Sequence, residues 1–171
     1  MTKETKIPTN EGRLIIVYPK GEITISPHLP LRTSKLNKGQ QEALIHFCQE
    51  MRRPSPPKTA SLHKEAVRVL EKVAGDIYKS FFLIDDGDKS EIHAFSEVKL
   101  EKYQVDCVII GPYGVILIEA KPKNRPPGRT ALPQLKKYES IYKEKFPQIP
   151  FFFLKASYRN RNIILSPLAN F

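Results

Sequence analysis

Asp106, Glu119 and Lys121 are the residues whose types and spacing could do chemistry together. They lie in residues 104–121, QVDCVIIGPYGVILIEAK, where two apolar, β-rich runs flank Gly111-Pro112-Tyr113-Gly114, a hairpin signal. With Pro112 and Tyr113 at the turn, Asp106 falls directly opposite Glu119, and cross-strand Cβ atoms sit roughly 5 Å apart. Lys121 is two residues beyond Glu119 and projects from the same face, while Ala120 points away. Facing carboxylates repel and destabilise a sheet unless a cation lies between them. Hard oxygen ligands suit Mg2+ or Mn2+. Such an ion polarises a phosphoryl oxygen and lowers the pKa of a bound water. Lys121 can orient that water or stabilise developing charge. The chemistry expected is phosphodiester hydrolysis.

The elements that must position these groups are legible from periodicity. Residues 13–26 predict two short strands around Pro19-Lys20-Gly21, and residues 37–52 a helix with Leu44, Ile45, Phe47 and Cys48 inward. Arg53-Pro54-Ser55-Pro56-Pro57 ends that helix, because proline cannot continue one. This break divides the chain into an N-terminal extension, residues 1–57, and a main domain, residues 58–171. A helix is expected over residues 61–80, from Leu62, Val69, Leu70, Val73 and Ile77, with Ser61 as its cap. Residues 81–84 read as a short strand and residues 85–90 as a turn. After the hairpin come a basic, proline-rich loop, residues 122–133, and an amphipathic helix, residues 132–145, with Leu135, Tyr138, Ile141 and Tyr142 inward. Residues 150–154 and 162–165 read as closing strands. The expected fold is α/β: a central mixed sheet flanked by helices, with the hairpin at its heart.

The stretch YQVDCVIIGPYGVILIEAK resembles the PD-(D/E)xK nuclease superfamily, and within it most the nuclease-related domain, NERD. The resemblance covers residues ~61–165 and implies a restriction-endonuclease-like core. It implies metal binding by Asp106 and Glu119 and catalytic assistance by Lys121. It also implies a further metal ligand, a helical glutamate before the core, a place that Glu65 fits, although Lys64 stands where the family's usual glycine would be. The Q-x3-Y of many RecB-like relatives is matched by Gln134 and Tyr138, which share a helix face and are expected to point at the site as further catalytic residues. A metal-dependent nuclease acting on DNA is therefore expected, with Mg2+ or Mn2+ as cofactor. The alternative is a non-cleaving nucleic-acid-binding module on the same fold.

Charge distribution agrees with an anionic partner. The net charge of +10 is uneven: residues 61–119 sum to −4 and residues 120–161 to +9. Lys123, Arg125 and Arg129 follow the catalytic strand, and Lys136 and Lys137 share the next helix with Gln134. These five suit phosphate contacts, which position a duplex without reading its sequence. Two distant cysteines, Cys48 and Cys107, fit no zinc or iron–sulfur spacing, and a reducing, intracellular setting is expected. No apolar run reaches the ~18–20 residues of a membrane helix, and the N-terminus shows no secretory h-region. Residues 36–43, LNKGQQEA, resemble the opening of helicase motor domains, but without a following phosphate-binding loop nothing there can cradle a triphosphate. His28, His46, His63 and His93 show no ligand spacing and read as scattered surface or core residues. Asp85, Asp86 and Asp88 lack the distal glutamate of a calcium loop and read as a solvated turn.

Overall fold

The computed structural model describes residues 5–8, 14–18, 21–25, 35–52, 62–82, 84, 87, 89–100, 103–122, 131–159 and 162–167. Eight strands form one mixed sheet: β1 (Thr5–Pro8), β2 (Leu14–Tyr18), β3 (Gly21–Ile25), β4 (His93–Leu100), β5 (Tyr103–Gly111), β6 (Gly114–Pro122), β7 (Phe151–Arg159) and β8 (Asn162–Pro167). Their order is β1-β2-β3-β8-β7-β6-β5-β4. The β3–β8 and β6–β7 pairs are parallel and the rest antiparallel. Four helices join them: α1 (Lys38–Met51), α2 (Leu62–Lys72), α3 (Ala74–Phe81) and α4 (Ala131–Lys145).

The sheet buries both faces, because β5 and β6 are apolar at nearly every position. On one side, Cys107, Ile109, Ile116, Ile118 and Ala120 pack against Val67, Leu70, Ile77 and Tyr78 of α2 and α3. On the other, Val105, Val108, Ile110, Val115 and Leu117 pack against Leu44 and Cys48 of α1 and Tyr138 and Tyr142 of α4. Residues 38–51, assigned from sequence to an extension, thus complete the second core, and β3 joins the sheet through β8.

Four elements differ from expectation, the first being β1, which precedes the strands expected from residue 13 onward. The 61–80 helix is two helices, broken at Val73, and Leu62 at its start is exposed rather than inward. Of the short strand expected at residues 81–84, Phe81 ends α3 and Phe82 caps it, both turning in to pack on Phe152, Ile84 is in no strand, and Leu83 lies outside the described residues. Strand β4 was not anticipated, because its alternation is irregular. Ala94 faces the first core, while Phe95 and Val98 face the second.

The hairpin tip needs glycine. Gly114 has φ +132°, and a Cβ there would lie 2.6 Å from the Pro150 carbonyl oxygen. At Gly111 a Cβ would lie 2.4 Å from the Tyr78 ring. The Tyr78 hydroxyl accepts from the Tyr113 amide at 2.7 Å and donates to the Gly114 carbonyl at 3.1 Å, tying α3 to the turn.

Candidate active site

The β5–β6 ladder has the anticipated register, from Gly111 opposite Gly114 to Cys107 opposite Ile118. It stops there, one rung short of Asp106 and Glu119. Beyond that point β5 stays with β4, through Val105–Val98, and β6 stays with β7, through Pro122–Tyr158. The two strands fork, and both carboxylates are buried at the fork. The Asp106 side chain substitutes for the missing ladder partner: its Oδ2 accepts from the Ala120 amide at 2.8 Å.

The rung of Asp106 is irregular on its other side too. Ser96 pairs with Cys107 and Val98 with Val105, but the ladder skips the rung between them, where Glu97, with φ 55°, faces Asp106. Val105 and Cys107 are two apart and should share a face, yet they belong to opposite cores. Val98 likewise lies in the second core, while the Ser96 hydroxyl donates to Glu71 of α2 at 2.9 Å. Both strands therefore change faces at one rung, and that turn lets Asp106 meet α2.

The contact from α2 is His63. Its Nε2 is 3.3 Å from Asp106 Oδ2, and its ring packs edge-on against Tyr158 of β7 at 6.0 Å. The hydrogen bond to Asp106 raises the His63 pKa above its ordinary value, against the opposing effect of burial. The reading of His63 as a scattered histidine is corrected here. The contact spans 43 residues of sequence, so spacing could not reveal it.

Glu119 receives the Lys121 ammonium on Oε1 at 3.3 Å. Its Oε2 is buried and no donor reaches it. Burial, and then the neighbouring Asp106 carboxyl, push the Glu119 carboxyl up to about 8 despite Lys121. A buried acidic pair holding a proton near neutrality, with one orphaned oxygen, fits a hard divalent cation in chemistry and in charge. Among the described residues, no group of three or more His, Cys, Asp or Glu side chains is arranged to hold a metal ion. The carboxylate donors gathered are two. Mg2+ is commonly held so, by one or two carboxylates with substrate phosphates completing its shell.

The remaining sequence candidates fall as follows. Glu65 is half-buried in the first turn of α2 and enters no such group. Tyr138 is fully buried in the second core and donates to the Gln104 carbonyl of β5, two residues before Asp106. It braces the strand that carries Asp106. The Gln134 side chain and residues Lys123, Arg125 and Arg129 lie outside the described residues. Lys136 and Lys137 are exposed on α4.

A mixed sheet with helices on both faces, opening at an acidic pair, is an α/β architecture compatible with a restriction-endonuclease-like core. The chain belongs to the nuclease-related domain family, whose model matches residues 78–164, just over half of its length. No curated protein and no solved structure matches. His63 and Glu65 precede the matched segment, whereas Asp106, Glu119 and Lys121 lie inside it. No helix among the described residues is long and apolar enough to cross a membrane.

Proposed function

We propose that this domain is a divalent-metal-dependent nuclease that hydrolyses phosphodiester bonds, with DNA as its substrate. The observation that carries this reading is the buried Asp106–Glu119 pair with the unpartnered Glu119 Oε2. A buried carboxylate oxygen without a donor or cation is costly, and this one belongs to an acidic pair beside a lysine in a nuclease-related domain.

Asp106 and Glu119 would hold Mg2+ or Mn2+, which supplies Lewis acidity toward a phosphoryl oxygen. The Ala120 amide and His63 both bond Asp106 Oδ2 and so fix the orientation of that carboxylate. Lys121 balances the negative charge of Glu119 and places a cation where phosphoryl oxygens gain charge during displacement. Burial of both carboxylates limits water around the pair and strengthens each of these interactions.

The test is incubation of the full chain with supercoiled and linear DNA in Mg2+, in Mn2+ and in chelator. Cleavage should need the metal. Asp106→Ala, Glu119→Ala and Lys121→Ala should each reduce it at least about a hundredfold while melting cooperatively. Full activity in Glu119→Ala would overturn the reading. Salt-dependent DNA binding with no cleavage under any metal would favour the non-cleaving module instead.

A further inference from the structure

Strands β6 and β7 change character together. On the face shared with the second core, β6 presents Val115, Leu117, Glu119 and Lys121 in turn. Its parallel neighbour presents Phe151, Phe153, Lys155 and Ser157 at the paired positions. Both strands pass from apolar to polar at the rung that joins Glu119 to Lys155. The opposite face of β7 shows no such change, because Leu154, Ala156 and Tyr158 all remain in the first core. Solvent exposure at a strand end does not account for a lysine in this place, because Lys155 is only half exposed and Leu154 and Ala156 beside it are buried.

Lys155 also stands apart electrically. Lys121 is matched by Glu119, but Lys155 makes no ion pair with another described residue. Next to it, Ser157 pairs with Lys121, and Arg159 is exposed further along the strand. The polar row thus continues outward from the acidic pair along one strand.

We infer that Lys155 binds a backbone phosphate of the nucleic-acid strand next to the scissile one, with Ser157 as a neighbouring hydrogen-bond donor. This rests on the nuclease reading above and adds the strand that receives the substrate. A cation one strand from the acidic pair offsets the repulsion between those carboxylates and an incoming polyanion. It is a binding residue: it contributes to holding substrate, and Asp106 and Glu119 need nothing from it to take up metal.

The experiment compares the full chain with Lys155→Gln and Lys155→Arg, using a fluorescent single-stranded and a duplex oligonucleotide in chelator across a salt series. Lys38→Gln, on the exposed side of α1, is the control. Lys155→Gln should weaken binding several-fold and reduce the slope of log affinity against log salt by about 0.7–0.9, one phosphate's worth. Lys155→Arg should restore both. In Mn2+-supported cleavage, KM should rise in Lys155→Gln with kcat little changed, and the Mn2+ affinity measured without DNA should match that of the unsubstituted chain. Unchanged affinity and slope in Lys155→Gln, with wild-type binding intact, would overturn the assignment and leave the nuclease reading standing. Absence of both binding and cleavage in the unsubstituted chain would overturn the nuclease reading itself. A several-fold loss that Lys155→Arg does not restore would also count against a phosphate contact.

Discussion

A carboxyl that keeps its proton near neutrality couples this site to stability. Glu119 ionises at about 8 in the folded chain and at its ordinary 4.5 when unfolded. Below 4.5 both states hold the proton, so the contribution is fully present. Between 4.5 and 8 only the unfolded state loses the proton, and stability falls across that window. His63 acts in the same direction: its folded pKa is raised, so its contribution is present below 6.5 and disappears as pH rises through the folded value. The metal-free chain should therefore melt at lower temperature at pH 8 than at pH 4.5, and Glu119→Gln should flatten most of that decline. Thermal melts in chelator across this range check it, and parallel curves for the two proteins would refute it. Added Mn2+ should raise the melting temperature most at the alkaline end, because its ligands must lose their protons to bind.

Among the elements, β4 holds the least expected device. Glu97 adopts a left-handed conformation opposite Asp106, which costs a residue with a Cβ about 1–2 kcal/mol. Ser96, just before it, is anchored to Glu71, and Arg52 at the end of α1 lies 3.9 Å from that carboxylate. These ties hold the rung on which both strands change faces. Glu97→Gly should leave the fold intact and stability within about 1 kcal/mol of the parent, since glycine adopts positive φ freely. Glu97→Val should cost about 1–3 kcal/mol, because a β-branched residue resists this conformation. Denaturant titrations of the two variants decide the point. Equal stabilities would mean that the backbone at Glu97 is not strained.

Across the whole molecule, α1 supplies one wall of the second core, with Leu44 and Cys48 fully buried against β4 and β5. A chain starting at residue 58 should expose Val98, Val105 and Val108 and lose its cooperative melt, as circular dichroism would show. A sharp transition in that fragment would show that the main domain stands alone. Charge acts at the same scale. Residues 120–161 carry +9, partly on the exposed Lys136 and Lys137 and partly on Arg125 and Arg129. Arg125→Ala/Arg129→Ala should lower both DNA affinity and its salt dependence in a filter-binding titration. Wild-type affinity and slope in that variant would move the binding surface elsewhere.

Local pattern determined the hairpin, its register and the lysine beside the acidic pair. Alternating apolar runs and a glycine-flanked turn act over a few residues, and a strand's two-residue period fixes which side chains lie together. The helices α1 and α4 were legible for the same reason, since an apolar stripe at helical spacing is a local property. The break at Val73, strand β4 and the turn at Glu97 were not. Each is set by what packs against it, and β4 carries apolar residues on both faces with no clean period to read. The contacts that complete the site were hidden in the same way: His63 reaches Asp106 across a helix and a strand, and Lys155 neighbours Glu119 only through a parallel pairing. The sequence by itself specified which ionisable residues share one end of a hairpin. Tertiary structure alone decided that the hairpin forks there, that both carboxylates are buried, and which histidine and lysine stand beside them. Burial and distant pairing depend on packing the whole chain, and no local period encodes them.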